Sequence, residues 1–258
     1  MSKKRTYRIL LTNDDGISSC GLDILYHEMK KVGSVFVVAP DSEQSAISHA
    51  ITVKEEICVE KYFKNGEFFG YAVGGTPADC VKLGVMEIMP KTPDIVISGI
   101  NNGENTGLNI IYSGTVSAAI EATILGIPSI AISLGNWRKV GFNFAAKFGK
   151  KLAEKVLEFG LPEGTFLNVN IPPVAKTNIK GVRITRQGNE KFSEYFIKKI
   201  DSVNRIYYKL DGKRRRVNKK LETEESAIHR MEISITPIHY DLTNYKMIEK
   251  LKKWDISF

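Results

Sequence analysis

Asp14 and Asp15 stand side by side between Asn13 and Gly16, directly after the apolar run Arg8–Leu11. That run reads as a short buried strand, so both carboxylates sit at its mouth. Two ionised Asp residues in such a place repel each other and lose solvation, and a cation beside them relieves both costs. A polar turn accounts for the same four residues, because Asn-Asp and Asp-Gly are ordinary turn formers. The choice between turn and site depends on what else the chain brings to the same place.

The elements that follow place a consistent set there. Leu22, Leu25 and Met29 recur at helical spacing, and Ser34–Ala39 is an apolar β run stopped by Pro40. Strand, helix and strand in about thirty residues make a βαβ unit. Ligands of such sheets bind beyond the carboxyl ends of the strands. Asp14 and Asp15 lie at one end, and the polar loop Pro40–Ser48, which carries Ser45, at the next. Ile51–Tyr62 and Glu67–Val73 predict a hairpin turning at Lys64-Asn65-Gly66. Thr76, Pro77 and Asp79 supply the cap, first residue and first-turn acid of a helix running to Met89. Asp94–Ser98 is another buried strand, leading into a Gly/Asn loop, Gly99–Gly107, that contains Asn101 and Asn105. Ser113-Gly114-Thr115 opens a small-residue helix to Leu125, and a helix start bordered by hydroxyls is a ready anion site. Pro128–Ser133 and Thr165–Ile171 read as further strands on either side of an amphipathic helix, Phe142–Phe159. The expected fold is α/β: a Rossmann-like, mostly parallel sheet with helices on both faces, occupying a catalytic core over residues 1–175.

From 176 to 258 the pattern changes, and the stretch reads as an extension made of a β-hairpin arm and a terminal helix, used for oligomerisation. Val182–Gln187 alternates as a half-exposed strand does. Phe192–Tyr208 is rich in aromatics and Lys. A turn is expected at Asp211-Gly212, followed by the basic run Lys213-Arg214-Arg215-Arg216 and Lys219-Lys220. Ala227–Thr236 contains a last β run, and Thr243 caps a helix through Trp254. The chain has 258 residues, 43% hydrophobic and 26% charged, with net charge +8, as an ordinary globular protein would. Much of the excess charge sits in the basic run. That run lacks the interleaved aromatics of a single-strand groove, so it reads as a solvated arm or subunit contact, not a nucleic-acid site. Cys20, Cys58 and Cys80 are odd in number and widely spaced, which argues against a disulfide framework or structural zinc. No segment approaches the roughly 18 apolar residues of a membrane span. No signal-peptide core follows Met1-Ser2-Lys3-Lys4-Arg5, so the expected location is cytoplasmic, without a membrane partner.

Asp14, Asp15, Ser45 and Asn101 offer two carboxylates, a hydroxyl and an amide oxygen. These are hard ligands suited to Mg²⁺, Mn²⁺ or Ca²⁺. Beside them, Asn13, Gly16, Asn105, Ser113, Gly114 and Thr115 are the candidate phosphate- or substrate-binding positions, Asn13 and Gly16 also shaping the turn so that both Asp residues face one cation. With no Walker lysine and no GxGxxG, a metal next to a phosphate cradle favours phosphoryl hydrolysis over motor or hydride chemistry. Asp14 and Asp15 are the candidate catalytic residues, Asp14 the first choice. Gly74, Gly75, Thr76 and Asp79 read as a helix start that shapes the pocket. His49 and His239 are candidates for acid/base work, although a lone His after a strand is usually structural. His27 and His229 are given no role. A polyanion binder led by the basic run is the competing reading, and it has no use for paired carboxylates at a strand end.

TNDDGI, APDSEQSAIS, GTPADCV, PDIVISGINNGEN, YSGTVSAAIEA and TPIHYDLT stand in the order seen in the SurE (survival protein E) family, which the chain resembles over nearly its whole length. The resemblance implies a phosphatase acting on nucleoside 5′- and 3′-monophosphates, with some activity on short polyphosphate. It implies one Mg²⁺ or Mn²⁺ per subunit on Asp14, Asp15, Ser45 and Asn101. It also implies a homodimer or homotetramer with the C-terminal segment exchanged between subunits. The chain departs from the family pattern at Ser18-Ser19-Cys20, where Pro or Ala is frequent, and at Ala46-Ile47, where a Gly often follows the serine. The second departure bears on substrate preference.

Overall fold

The computed structural model describes residues 6–136, 141–189, 192–214, 218 and 220–256. Strands β1 (Tyr7–Thr12) and β2 (Gly33–Pro40) are parallel and joined by helix α1 (Cys20–Met29). Beyond β2 come β4 (Glu67–Val73), parallel to it, and β3 (Val59–Lys64), antiparallel at the edge. On the other side of β1 lie β5 (Ile95–Asn102), β6 (Ser129–Leu134) and β7 (Thr165–Ile171), all parallel. The sheet continues with β11 (Ile233–His239), antiparallel to β7, and the short β8 (Val182–Ile184), giving nine strands in the order β3-β4-β2-β1-β5-β6-β7-β11-β8. The strand order reverses about β1, which has β2 on one flank and β5 on the other. A crevice opens at such a switch point beyond the carboxyl ends of the strands.

Alternate residues of the central strands feed two apolar layers, as the period of two in a strand requires. Ile9, Leu11, Ile95 and Ile97 pack with Leu22, Leu25 and Met29 of α1 and with Ala146 and Val156 of α4 (Asn143–Phe159). Leu10 and Val96 pack on the opposite face with Cys80 and Val81 of α2 (Pro77–Leu83) and Ala118 and Ala122 of α3 (Gly114–Ile124). The α/β architecture with helices on both faces is therefore as expected. Among the described residues, no helix is long and apolar enough to cross a membrane.

Several boundaries differ from the sequence reading. Residues 51–58 are irregular, and the edge strand starts only at Val59. Helix α2 ends at Leu83 and widens into a π-type turn, Gly84–Ile88. Strand β5 runs on through Asn102, so Asn101 lies on a strand and not in a loop. The β5–β6 register shifts between Ser98 and Asn101. Asp211-Gly212 forms no turn. It lies inside β10 (Ile206–Arg214), opposite Tyr195 and Glu194 of β9 (Phe192–Ile200). The hairpin turns instead at 201–205, where the Asp201 carboxylate accepts the amides of Val203 and Arg205. Residues expected to begin the last β run form a short helix, α5 (Glu224–His229). Asn244, not Thr243, caps α6 (Tyr245–Leu251), its side chain accepting the Met247 amide, and the helix stops short of Trp254. Half of the basic stretch 213–220, residues 215–217 and 219, lies outside the described residues.

Candidate functional site

The turn after β1 is built before anything binds to it. Asn13 is fully buried, and its amide nitrogen donates to the Gly16 carbonyl at 3.0 Å and to Ser19 Oγ at 2.7 Å. Gly16 has φ +91°, and a Cβ there would come within 3.3 Å of the Ser42 backbone, so glycine allows the two loops to touch. The Gln44 amide donates to the Asp14 carbonyl and the Ile17 amide to the Pro40 carbonyl, both at 2.8 Å. The loops after β1 and β2 are thus stitched together, as adjacent parallel strands predict.

Asp14 is only 6% exposed and faces the start of α3. Thr115 donates to it from its hydroxyl, at 2.5 Å to Oδ1, and also from its amide. The positive end of α3 therefore lies against this carboxylate. A Cβ on Gly114 would stand 2.8 Å from Asp14 Cβ, so only glycine lets helix and carboxylate meet so closely. Burial pushes the Asp14 carboxyl above its usual range despite the Thr115 hydrogen bonds. Asp15 is less buried and accepts the Asn102 amide at 3.1 Å. Burial first, and then the neighbouring Asp14 charge, raises it to about 6. No ion pair to either carboxylate occurs among the described residues.

Ser45 and Asn101 open onto the same cavity as the Asp pair, a space of about 690 Å³. The Ser45 hydroxyl donates to Glu43 at 2.5 Å, which leaves the oxygen lone pairs for another partner. Asn101 spends its amide nitrogen on the Gly103 carbonyl at 2.9 Å, so Oδ1 is its remaining acceptor. Two carboxylates, a hydroxyl and an amide oxygen, with a desolvated negative pair at their centre, fit a hard divalent cation. They do not fit zinc held by sulfur or imidazole, and among the described residues no three His, Cys, Asp or Glu side chains are placed together to hold a metal ion.

Among the expected phosphate contacts, Ser113 lines the cavity and also caps α3, its oxygen accepting the Val116 amide at 3.1 Å. Thr115 is fully buried and its hydroxyl is committed to Asp14, so it orients the carboxylate and does not face the cavity. Asn13 is likewise a turn builder, with no surface open to a ligand. Asn105 lines the cavity, fixed from behind by Ser133 and by Asn168 and Asn170 of β7. Two Asn residues alternating in an apolar strand were the available signal for this buried network. The Ser45 loop is anchored on its far side. Asp79 accepts from the Thr52 amide and hydroxyl and from the Thr76 amide, and Thr76 donates to the Ala50 carbonyl. His49 lies outside the cavity and pairs with Glu121 at 2.8 Å, as Lys82 does at 2.7 Å.

Sequence reasoning overlooked Glu43, the Asn102 amide, Tyr112, and two residues of the distant hairpin, Glu194 and Leu210, which also line the cavity. Residues 9–194 match the family model described as Survival protein SurE. The chain belongs to the SurE family. It is 46% identical over 249 residues to a 5′-nucleotidase SurE of Syntrophobacter fumaroxidans, spanning 96% of this chain and 100% of that relative. A 5′-nucleotidase SurE of Chlorobium phaeobacteroides is 43% identical over 257 residues, spanning both chains in full. The crystal structure of a SurE protein from Aquifex aeolicus superimposes with a TM-score of 0.83 at 41% identity, covering 95% of this chain and 98% of that one. The crevice beside β1 is thus a feature of a SurE fold, and the residues gathered there are this SurE chain's own.

Proposed function

We propose that this protein is a divalent-metal-dependent phosphomonoesterase that hydrolyses nucleoside 5′- and 3′-monophosphates to nucleoside and phosphate. The observation that carries the reading is the Asp14–Asp15 pair. Two adjacent, desolvated carboxylates open into one cavity with Ser45, Asn101 and the start of α3. The name 5′-nucleotidase, carried by relatives 42–46% identical, supports the substrate class.

In this reading Asp14, Asp15, Ser45 and Asn101 hold one Mg²⁺ or Mn²⁺ per subunit. When bound, such an ion supplies Lewis acidity toward a phosphoryl oxygen and neutralises charge. Thr115 fixes one oxygen of Asp14, and the other takes the proton of the attacking water. The Asn102 amide orients Asp15. The Ser113 hydroxyl and the Gly114 amide hold the phosphate, and Asn105 backs the leaving-group side. Asn13 and Gly16 act through the turn.

The arm and the C-terminal segment join two or four copies of the chain. Their support is the set of large apolar side chains they leave exposed, including Phe196, Tyr208, Leu242 and Trp254.

Phosphate release from a nucleoside 5′-monophosphate tests the enzyme directly. Activity with Mn²⁺ or Mg²⁺ is expected to vanish in excess EDTA and to fall about 10³-fold or more in Asp14→Asn and Asp15→Asn. Full turnover in EDTA, or unchanged turnover in both variants, overturns the reading.

A further inference from the structure

Ser45 stands between two tethers of its loop. Before it, the Gln44 amide reaches the Asp14 carbonyl at 2.8 Å. After it, the Ser48 amide donates to the Tyr112 carbonyl at 3.0 Å and the Ser48 hydroxyl to the Ile111 carbonyl at 2.8 Å. In the same short span Ala46 has φ +57° and Ser48 φ +58°. Both carry a Cβ, and the left-handed region brings that atom close to the following carbonyl oxygen, a cost that glycine escapes. Two such residues persist only where their surroundings hold them. The turn that presents Ser45 is strained, and it relaxes unless its far end is fixed.

The next residue fixes it. His49 Nε2 donates to Glu121 Oε2 at 2.8 Å, and the Lys82 ammonium stands 2.7 Å from Oε1. The Glu121 side chain is only 4% exposed, against 28% for His49. Burial would raise the Glu121 carboxyl, but hydrogen bonds from His49 and Lys82 outweigh it and hold it below its usual range. An ionised carboxylate only accepts, so the imidazole is the donor. The Ala50 carbonyl accepts from Thr76, which pins the chain again to the start of α2. Glu121 belongs to α3, the helix whose Thr115 holds Asp14. One helix therefore reaches two members of the candidate metal site. Thr115 acts directly on a carboxylate, and Glu121 acts through His49 on the loop that carries the hydroxyl.

We propose that His49 is a positioning residue for the metal: its bond to Glu121 keeps the strained turn from relaxing and holds Ser45 within reach of the cation shared with Asp14 and Asp15. This rests on the metal site of the preceding reading and adds to it a residue that touches neither metal nor substrate. Partners that orient a metal's ligands change its affinity about 10- to 100-fold. His49 acts through a loop and not on a ligand atom, so the lower end of that range applies.

The test reads Mn²⁺ binding without substrate, as free Mn²⁺ by electron paramagnetic resonance, beside the unfolding temperature of each metal-free protein. It compares the full-length protein with His49→Ala, His49→Gln, Asp15→Asn, and His49→Ala combined with Ala46→Gly. His49→Ala is expected to weaken Mn²⁺ about tenfold. His49→Gln keeps an N–H donor and is expected to stay within about threefold of the parent. Ala46→Gly removes the strain that the bond to Glu121 opposes, so the double variant is expected to bind about threefold more tightly than His49→Ala. A His49→Ala constant equal to the parent's overturns the proposal while the metal site stands, even if the unfolding temperature falls, because that pattern marks a merely structural contact. So does a His49→Gln variant as weak as His49→Ala, or a double variant that recovers nothing. A parent that binds no Mn²⁺, or an Asp15→Asn variant that binds it as tightly as the parent, overturns both.

Discussion

A buried carboxylate persists only where something replaces the solvation it has lost. At Asp14 the chain supplies Thr115, whose hydroxyl and amide both reach the carboxylate. A hydrogen bond to a charged group is worth about 1.5–3 kcal/mol. Thr115→Val keeps the shape of the side chain and removes the hydroxyl, leaving Asp14 less well held. It is expected to lower kcat about 10- to 100-fold with little change in KM, measured at saturating metal. A loss confined to KM would instead place Thr115 in the phosphate cradle, as the sequence alone suggested. Asp15 illustrates the other side of the same electrostatics. At about 6, its metal-free carboxyl retains a proton in mildly acidic solution, and binding a cation must expel that proton.

At the scale of elements, the site depends on loops clamped from both ends. The Ser45 loop is pinned to β1 by Gln44 and to α2 by Asp79. Burial would raise Asp79, but hydrogen bonds from Thr52 and Thr76 outweigh it and hold the carboxyl below its usual range. Asp79→Ala removes a capping box and the loop anchor together. It is expected to cost about 1–2 kcal/mol of stability in denaturant unfolding and to raise the metal concentration for half-maximal activity. Activity at saturating metal should be retained, because Asp79 is not itself in the cavity. The βαβ core was legible because apolar periodicity and Pro or Gly stops are local signals, and Asp14, Asp15, Ser45 and Asn101 were found by asking which polar residues end strands. Asp211-Gly212 misled because turn preference is local, whereas the nine cross-strand pairs that place it inside β10 are not. The commitment of Thr115 to Asp14, and the reach of Glu194 and Leu210 into the cavity, depend on contacts between residues far apart in the chain. No spacing rule encodes them.

At the scale of the whole molecule, the sheet and the arm make opposite use of apolar side chains. The central strands bury theirs in two layers, while the hairpin, α6 and the segment after it leave Phe196, Tyr208, Tyr245 and Trp254 exposed. Such a surface is stable in water when a second copy covers it. Sedimentation at micromolar concentration is expected to give a dimer or tetramer, and Phe196→Glu with Tyr208→Glu should shift it toward monomer. A wild-type monomer would contradict this. The central claim is that one cation unites residues from three strand ends, and a crystal grown with Mn²⁺ examines it most directly. The account predicts a single anomalous peak in the crevice beside β1, about 2.0–2.4 Å from carboxylate oxygens of Asp14 and Asp15 and in reach of Ser45 Oγ and Asn101 Oδ1. An empty crevice at saturating Mn²⁺, or a peak that touches neither aspartate, would contradict it.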